Sequence, residues 1–378
     1  NILAVREASQ RFFGALVEKG EALDGRAPFD AKSFDDATKG HLQKLDAALE
    51  ALEEFAKSQK ASEAIELIAR RAKQIREDLA SVVDGGPGQV TWLEVRSRSA
   101  AIGASPISTS GILRTKVFDR VPAVVLTSAT LATHTGFSFV RARLGIDESE
   151  ERPVDELVVP SPFDYEERSL LYVPNDLPDP REAAWLDAAK ARALELVQAT
   201  GCGAFVLCTS MKVMKAMHEA LAEAKVPDLM VQGEAPKGLL LSRFREAKNA
   251  VLVATMSFWE GVDVPGRALR MVVLDKIPFA VPTDPVVLAR TTDLERQGEN
   301  AFARYHLPVA AMTLKQGFGR LLRTKADAGV VAILDPRMRK MGYGRLLTRS
   351  LPPARKTDRI AVVRAFIEKM GLGGEKLD

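Results

Sequence analysis

Apolar positions along this chain follow two different rhythms, one helical and early, the other strand-like and late. Leu42, Leu45, Leu49, Leu52 and Phe55 recur at helical spacing, as do Ile65, Ile68, Ile75 and Leu79, with charges filling the other positions. This pattern predicts two amphipathic helices folded back on one another. Residues 25–36, with a proline and several turn formers, separate an earlier helix from that pair. Asp84-Gly85-Gly86-Pro87-Gly88 then ends the excursion, because neither residue type continues a helix without a large cost. Val90-Thr91-Trp92-Leu93-Glu94-Val95 and Ala123-Val124-Val125-Leu126 read as strands. From about Pro160 the rhythm becomes regular, with strands near Leu170, Phe205, Leu229, Leu252, Val272 and Val331 and helical segments such as 182–199 and 211–224 between them. Strands alternating with helices pair in parallel through right-handed crossovers. The expected class is α/β, a doubly wound parallel sheet preceded by a helical segment, with divisions at residues 1–86, 87–159 and 160–378.

Polar chemistry collects where the apolar runs stop. Val251-Leu252-Val253-Ala254 leads into Thr255, Met271-Val272-Val273-Leu274 into Asp275-Lys276, and Ala204-Phe205-Val206-Leu207-Cys208 into Thr209-Ser210. Open α/β sheets take their ligands at such strand ends. A further motif, Gln316-Gly317-Phe318-Gly319-Arg320-Leu321-Leu322-Arg323, places Gln316, Arg320 and Arg323 at i, i+4 and i+7, on one face of an expected helix. Two neighbouring guanidiniums repel unless an anion sits between them, and their planar forks match phosphate oxygens, so the natural guest is a polyphosphate. Gly317 and Gly319 fit close approach by a ligand or another backbone. The plainer alternative is a solvated basic helix face with a capping glycine.

Taken together, Leu126-Thr127-Ser128-Ala129-Thr130-Leu131, Phe258-Trp259-Glu260-Gly261-Val262-Asp263, Lys276-Ile277-Pro278-Phe279 and the Gln316–Arg323 block resemble the superfamily-two DNA helicases of the DinG/XPD type. Their order and spacing match the motifs numbered III, V and VI in that family, with Cys208-Thr209-Ser210 in the place of motif IV. The resemblance covers most of the chain from about Val90 onward. It implies a RecA-like fold for residues 160–378, an arch-like helical insertion for 1–86 and the returning part of a first RecA-like motor domain for 87–159. It implies a 5′-to-3′ ATP-dependent helicase acting on single-stranded or forked DNA in repair or replication. By resemblance, Arg320 and Arg323 stabilise the transferring phosphoryl group and Gln316 senses the γ-phosphate. Glu260, Gly261, Asp263 and Gly319 are assigned to the nucleotide, Thr209, Ser210 and Thr255 to DNA phosphates, and Ser128 and Thr130 to coupling between the two. Trp259 is suited either to stacking a base or to wedging its loop against the core. His306 reads as a capping or packing residue ahead of the Pro308 helix start.

A motor of this kind needs a Gly-x-x-x-x-Gly-Lys-Ser/Thr loop and an acidic box for magnesium, and neither run occurs here. The expectation is therefore the C-terminal part of a longer protein, with ATP and Mg²⁺ gripped mainly by another lobe and no hydrolysis by this chain alone. An alternative is a nucleic-acid-binding or adaptor module without ATPase activity. Family members often carry an iron–sulfur cluster in the first motor domain, in a region outside this chain. Cys202 and Cys208 flank or occupy a strand-like run and read as small core residues, so no metal ligands are assigned. Composition adds little: 378 residues, 46% hydrophobic, net charge +3, and no run near the ~20 apolar residues of a membrane span. A cytoplasmic, nucleoid-associated protein is expected. Charge distribution says more, since Arg337, Arg339, Lys340, Arg345, Arg349, Arg355 and Lys356 cluster with little acidic company in the sequence, as do Arg96, Arg98, Arg114, Lys116 and Arg120. Such stripes can follow a phosphate backbone, though a solvated surface explains them equally well.

Overall fold

The computed structural model describes residues 1–19, 26–59, 62–96, 99–146, 153–201, 203–247, 249–259, 264, 268–319 and 321–373. The chain forms two compact units, one of Asn1–Arg120, Arg143–Gly145 and Ala280–Phe302, the other of Val121–Ala142, Ile146–Phe279 and Ala303–Asp378.

In the first unit, helices Ile2–Lys19, Asp36–Gln59 and Glu63–Asp84 pack beside an antiparallel sheet of β1 (Arg26–Pro28), β2 (Gln89–Arg96) and β3 (Ser99–Pro106), in that order. The two expected amphipathic helices are present, and Leu45 and Leu49 join Phe12 and Leu16 in a small core. Other members of the apolar pattern face outward, including Phe55, Ile68 and Ile75. Their seam is closed instead by Ala56, Ala69 and Ala72 and by Arg76, which pairs with Asp46, Glu50 and Glu53 of the facing helix. Val90–Val95 lies within β2, as its pattern predicts, and β3 pairs with that strand along its whole length. Gly103 makes that pairing possible beneath Trp92, since a Cβ there would lie 2.3 Å from the indole ring.

The second unit is built on a seven-stranded, all-parallel sheet. Its strands are β4 (Ser169–Tyr172), β5 (Ala204–Cys208), β6 (Leu229–Val231), β7 (Val251–Thr255), β8 (Met271–Leu274), β9 (Gly329–Ile333) and β10 (Arg355–Thr357), in the spatial order β10-β4-β9-β8-β5-β7-β6. Helices cover both faces, which is why the central strands read as unbroken apolar runs. Phe205, Leu252, Val272 and Val331 face one core layer, and Val206, Val253, Val273 and Ala332 face the other. All six expected strands are present. The seventh, β10, is a three-residue edge strand with two cations, and so short and charged a segment carries no hydrophobic signal.

The run Ala123–Leu126 is not a strand. Val125 is 85% exposed, and Leu157 and Val159 in a second segment outside helix and strand are 80% and 73% exposed. A strand needs a neighbour to take its N–H and C=O groups, and no described residue supplies one to either run. No helix among the described residues is long and apolar enough to cross a membrane.

Gly329 sets how closely the chain can enter β9. A Cβ there would stand 2.5 Å from Leu321 Cδ1 and 2.6 Å from the Arg270 carbonyl oxygen. Gly329→Ala is expected to destabilise the second unit by about 2–4 kcal/mol, read as a lowered urea midpoint.

Candidate functional site

The carboxyl ends of β5, β7 and β8 lie side by side, because Cys208 is in register with Thr255 and Leu207 with Leu274. Thr209, Ser210 and Thr255, expected from the sequence to share this edge, are brought together by that register. Ser210 caps helix Met211–Glu223, its hydroxyl oxygen accepting from the Val213 N–H at 3.3 Å. Thr209 turns inward: its N–H and its hydroxyl both donate to the Asp275 carboxylate, each at 2.9 Å. Thr255 does the same toward the neighbouring strand, its N–H and hydroxyl donating to Gln232 Oε1 at 2.8 and 2.9 Å.

Asp275 is buried at the end of β8 and also accepts the Lys276 N–H at 2.7 Å. Burial dominates, pushing its carboxyl up to about 6 although these hydrogen bonds and the Lys276 charge pull it down. One strand over, Asp335 follows β9 with no exposed surface. It accepts from the Ile277 N–H at 3.0 Å and from the Arg337 backbone and guanidinium, the closest at 2.7 Å. Lys276, which follows Asp275 directly, stands over the Trp185 ring at 4.3 Å. Gln232 and Asp335 escape the sequence reading. The available signal for Asp335 is a charge directly after the apolar run of β9, whereas nothing marks Gln232, whose partner Thr255 is 23 residues away.

The arginine motif differs from its expectation. Helix Leu307–Phe318 stops before the arginines, with Gly319 as its C-cap, so Gln316 and Arg323 do not share a helical face. The reason is apolar. Leu321 and Leu322 are drawn into the core, and the Asp327 carboxylate fixes the turn by accepting the Arg323 and Thr324 N–H groups at 2.8 and 2.7 Å. Gln316 is exposed near the helix end. Gly319 has φ −66°, a backbone any residue adopts, and among the described residues a Cβ there would touch the Lys315 and Gln316 carbonyl oxygens at 3.4 and 3.7 Å. Helix Leu307–Phe318 runs against the strands, so its end reaches the sheet's amino-terminal edge. There Phe318 meets the Tyr165 ring 6.0 Å away, just ahead of β4, and the Arg168 guanidinium donates to the Ala326 carbonyl at 3.0 Å. Gln316, Gly319 and Arg323 thus lie at one edge of the sheet and Thr209, Ser210 and Thr255 at the other. Arg320, Glu260, Gly261 and Asp263 fall outside the described residues.

Ser128 and Thr130 form a tight turn, with their hydroxyls 3.1 Å apart and the Thr130 N–H donating to Ser128 Oγ. Two residues on, the Ala132 carbonyl accepts from Lys315 Nζ at 3.1 Å, tying this turn to the helix that carries Gln316. Burial holds that lysine below its ordinary range. The C-terminal cations have more acidic company than their sequence suggests: Arg337, Arg339 and Arg355 pair with Asp335, Asp358 and Glu167. Lys340, Arg345 and Arg349 are exposed.

Residues 193–354 match the family described as helicase C-terminal domain. The chain is 38% identical over 281 residues to the ATP-dependent DNA helicase YoaA of Escherichia coli strain K12, an alignment spanning 74% of this chain and 43% of that protein. It is 36% identical over 292 residues to the ATP-dependent helicase DinG of Mycobacterium tuberculosis strain H37Rv, covering 76% of this chain and 44% of that one. With the 3'-5' exonuclease DinG of Bacillus subtilis strain 168 it shares 34% identity over 276 residues, 70% of this chain and 29% of that one. The chain thus spans less than half the length of each. An XPD helicase structure superposes with a TM-score of 0.62 at 15% identity, covering 94% of this chain and 62% of that one, a likeness of fold.

Asp275→Asn keeps an oxygen for the two N–H groups and lets an amide donate to Thr209 Oγ1, without a buried charge. Because the carboxyl is raised in the folded chain, its stabilising contribution is complete below the ordinary value of 3.8 and is lost as pH rises through about 6. Relative to wild type, the asparagine variant should gain up to about 3 kcal/mol between pH 4 and pH 7, measured by urea denaturation at stepped pH.

Proposed function

On the premise that this chain carries the helicase C-terminal domain of the DinG/XPD type, we propose that it forms the second motor lobe of an ATP-dependent DNA helicase. The observation carrying this reading is a single parallel sheet with two polar edges, one suited to phosphates of a nucleotide and one to those of a strand. Gln316, Arg320 and Arg323 would hold the nucleotide's phosphates, with Glu260, Gly261 and Asp263 reaching it from the segment that follows β7 in the sequence. The described members fit such a guest. Gln316 presents an exposed amide, and Arg323 emerges from a turn whose backbone donors are fixed by Asp327. ATP bound there supplies the phosphoryl transfer that drives movement, with magnesium held by a partner lobe. Among the described residues no group of three or more His, Cys, Asp or Glu is placed to hold a metal ion.

On this reading Arg320 and Arg323 place positive charge where negative charge develops, and Gln316 reports the state of the terminal phosphate. The Lys315 contact to Ala132 gives Ser128 and Thr130 a route to that report. The Thr209–Ser210 turn and the end of β7 contact the DNA backbone, positioning a single strand without reading its sequence. The exposed runs around Val125 and Val158 are suited to pairing with strands of the partner lobe, which would complete the motor's first sheet. The whole protein would step 5′ to 3′ along single-stranded or forked DNA in the cytoplasm, at the nucleoid. The alternative reading is a nucleic-acid-binding or adaptor module with no ATPase activity.

Steady-state ATP hydrolysis by the complete protein, with and without single-stranded DNA, separates the two. DNA should stimulate wild type, and Arg320→Ala or Arg323→Ala should lower turnover by roughly 10³ or more with DNA binding retained. Turnover absent from wild type, or indifferent to both arginines, would leave the binding-module reading. This chain alone is expected to hydrolyse no ATP, and robust magnesium-dependent turnover by it would overturn the two-lobe account.

A further inference from the structure

The residue at the β7 end best placed to give a hydrogen bond to a phosphate is not the threonine of the sequence motif. Thr255 has directed both its N–H and its hydroxyl proton toward Gln232 Oε1. A hydroxyl whose proton is so engaged has none to give a phosphate, which at neutral pH only accepts. The identity of the contacting glutamine atom is forced by chemistry. A backbone N–H can only donate, so the atom facing it must be the amide oxygen. The amide nitrogen, bonded to the same carbon, then lies on the same strand edge with two protons to give.

Gln232 is held for such a role. Its own N–H donates to the Val253 carbonyl at 2.9 Å, extending the pairing of β6 with β7 by one residue. The chain then turns away at Gly233, whose φ of +102° suits glycine. Its Nε2 has no hydrogen-bond partner among the described residues, and the side chain is half-buried rather than enclosed. A cation stands on the same turn, since the Lys237 ammonium lies 5.1 Å from the ring of Phe258, three residues beyond Thr255.

We propose that Gln232 is a nucleic-acid-binding residue, donating from Nε2 to a backbone phosphate of single-stranded DNA while its Oε1 holds Thr255 in place. This rests on the reading that the carboxyl-terminal edge of the sheet meets DNA. It reassigns the motif threonine there from phosphate contact to positioning residue.

The test is fluorescence anisotropy of a labelled oligo-dT titrated with this chain over a range of salt concentrations. Wild type is compared with Gln232→Glu, Gln232→Met and Thr255→Val. Glutamate keeps the oxygen that anchors Thr255 but loses the donor and adds a negative charge that itself repels DNA, so its predicted loss of about tenfold supports the proposal only together with that of the neutral Gln232→Met. Gln232→Met should weaken binding similarly yet leave the slope of log Kd against log salt unchanged, because the lost group carries no charge. Thr255→Val, which retains the amide donor, should weaken binding less than either. Wild-type affinity in Gln232→Glu, or a Thr255→Val loss equal to that of Gln232→Met, overturns the proposal and leaves the DNA reading standing. Absence of salt-dependent binding by wild type overturns both.

Discussion

The carboxylate of Asp275 gathers two backbone N–H groups and a hydroxyl from the ends of two adjacent strands, and much of the second unit's chemistry depends on that junction. A sheet covered by helices on both faces has nowhere to put polar groups except where strands end. There the turns leave donors that must be satisfied inside a nearly dry interior. Asp275, Asp335 and Gln232 are three answers to this one requirement, each an acceptor reaching across to a neighbouring turn. The arrangement makes the edge stiff. Thr209, Lys276, Ile277 and Arg337 are held in place by carboxylates that could not be buried without them.

The opposite edge is built by apolar forces. Leu321 and Leu322 pull the chain off the end of helix Leu307–Phe318 and into the core, and Asp327 fixes the turn beyond them. Phe318 and Tyr165 close the space behind it. Hydrophobic anchoring at this edge and buried hydrogen bonding at the other give one sheet two surfaces of different character, reached from different sides.

The parallel sheet is legible in the sequence because its strands are buried on both faces and so appear as apolar runs. Six of its strands stand out for that reason, and β10 does not, being short, charged and at the margin. The helical hairpin is visible in periodicity, but its packing is not: alanines and Arg76 close the seam while several larger apolar residues face outward. Ala123–Leu126 has the composition of a strand without a partner in the described chain, and composition cannot supply one. The motif residues Thr209, Ser210 and Thr255 can be found because hydroxyls directly follow apolar runs. The directions of their hydrogen bonds depend on residues such as Gln232 and Asp275, brought close only by the fold. For the arginine motif, spacing suggests one helical face, and it is the burial of two leucines that decides otherwise.

The hydrogen bond between Thr209 and Asp275 has a direction, and that direction is reversible. With the carboxylate ionised, the threonine proton points inward. When Asp275 takes up a proton on Oδ2, that oxygen becomes the donor and Thr209 Oγ1 the acceptor, which releases the threonine's own proton from the bond. Burial, which pushes this carboxyl up to about 6, favours the protonated form and with it the reversed bond. The direction of this one hydrogen bond is thus set by a proton on a buried carboxyl and not by the threonine itself.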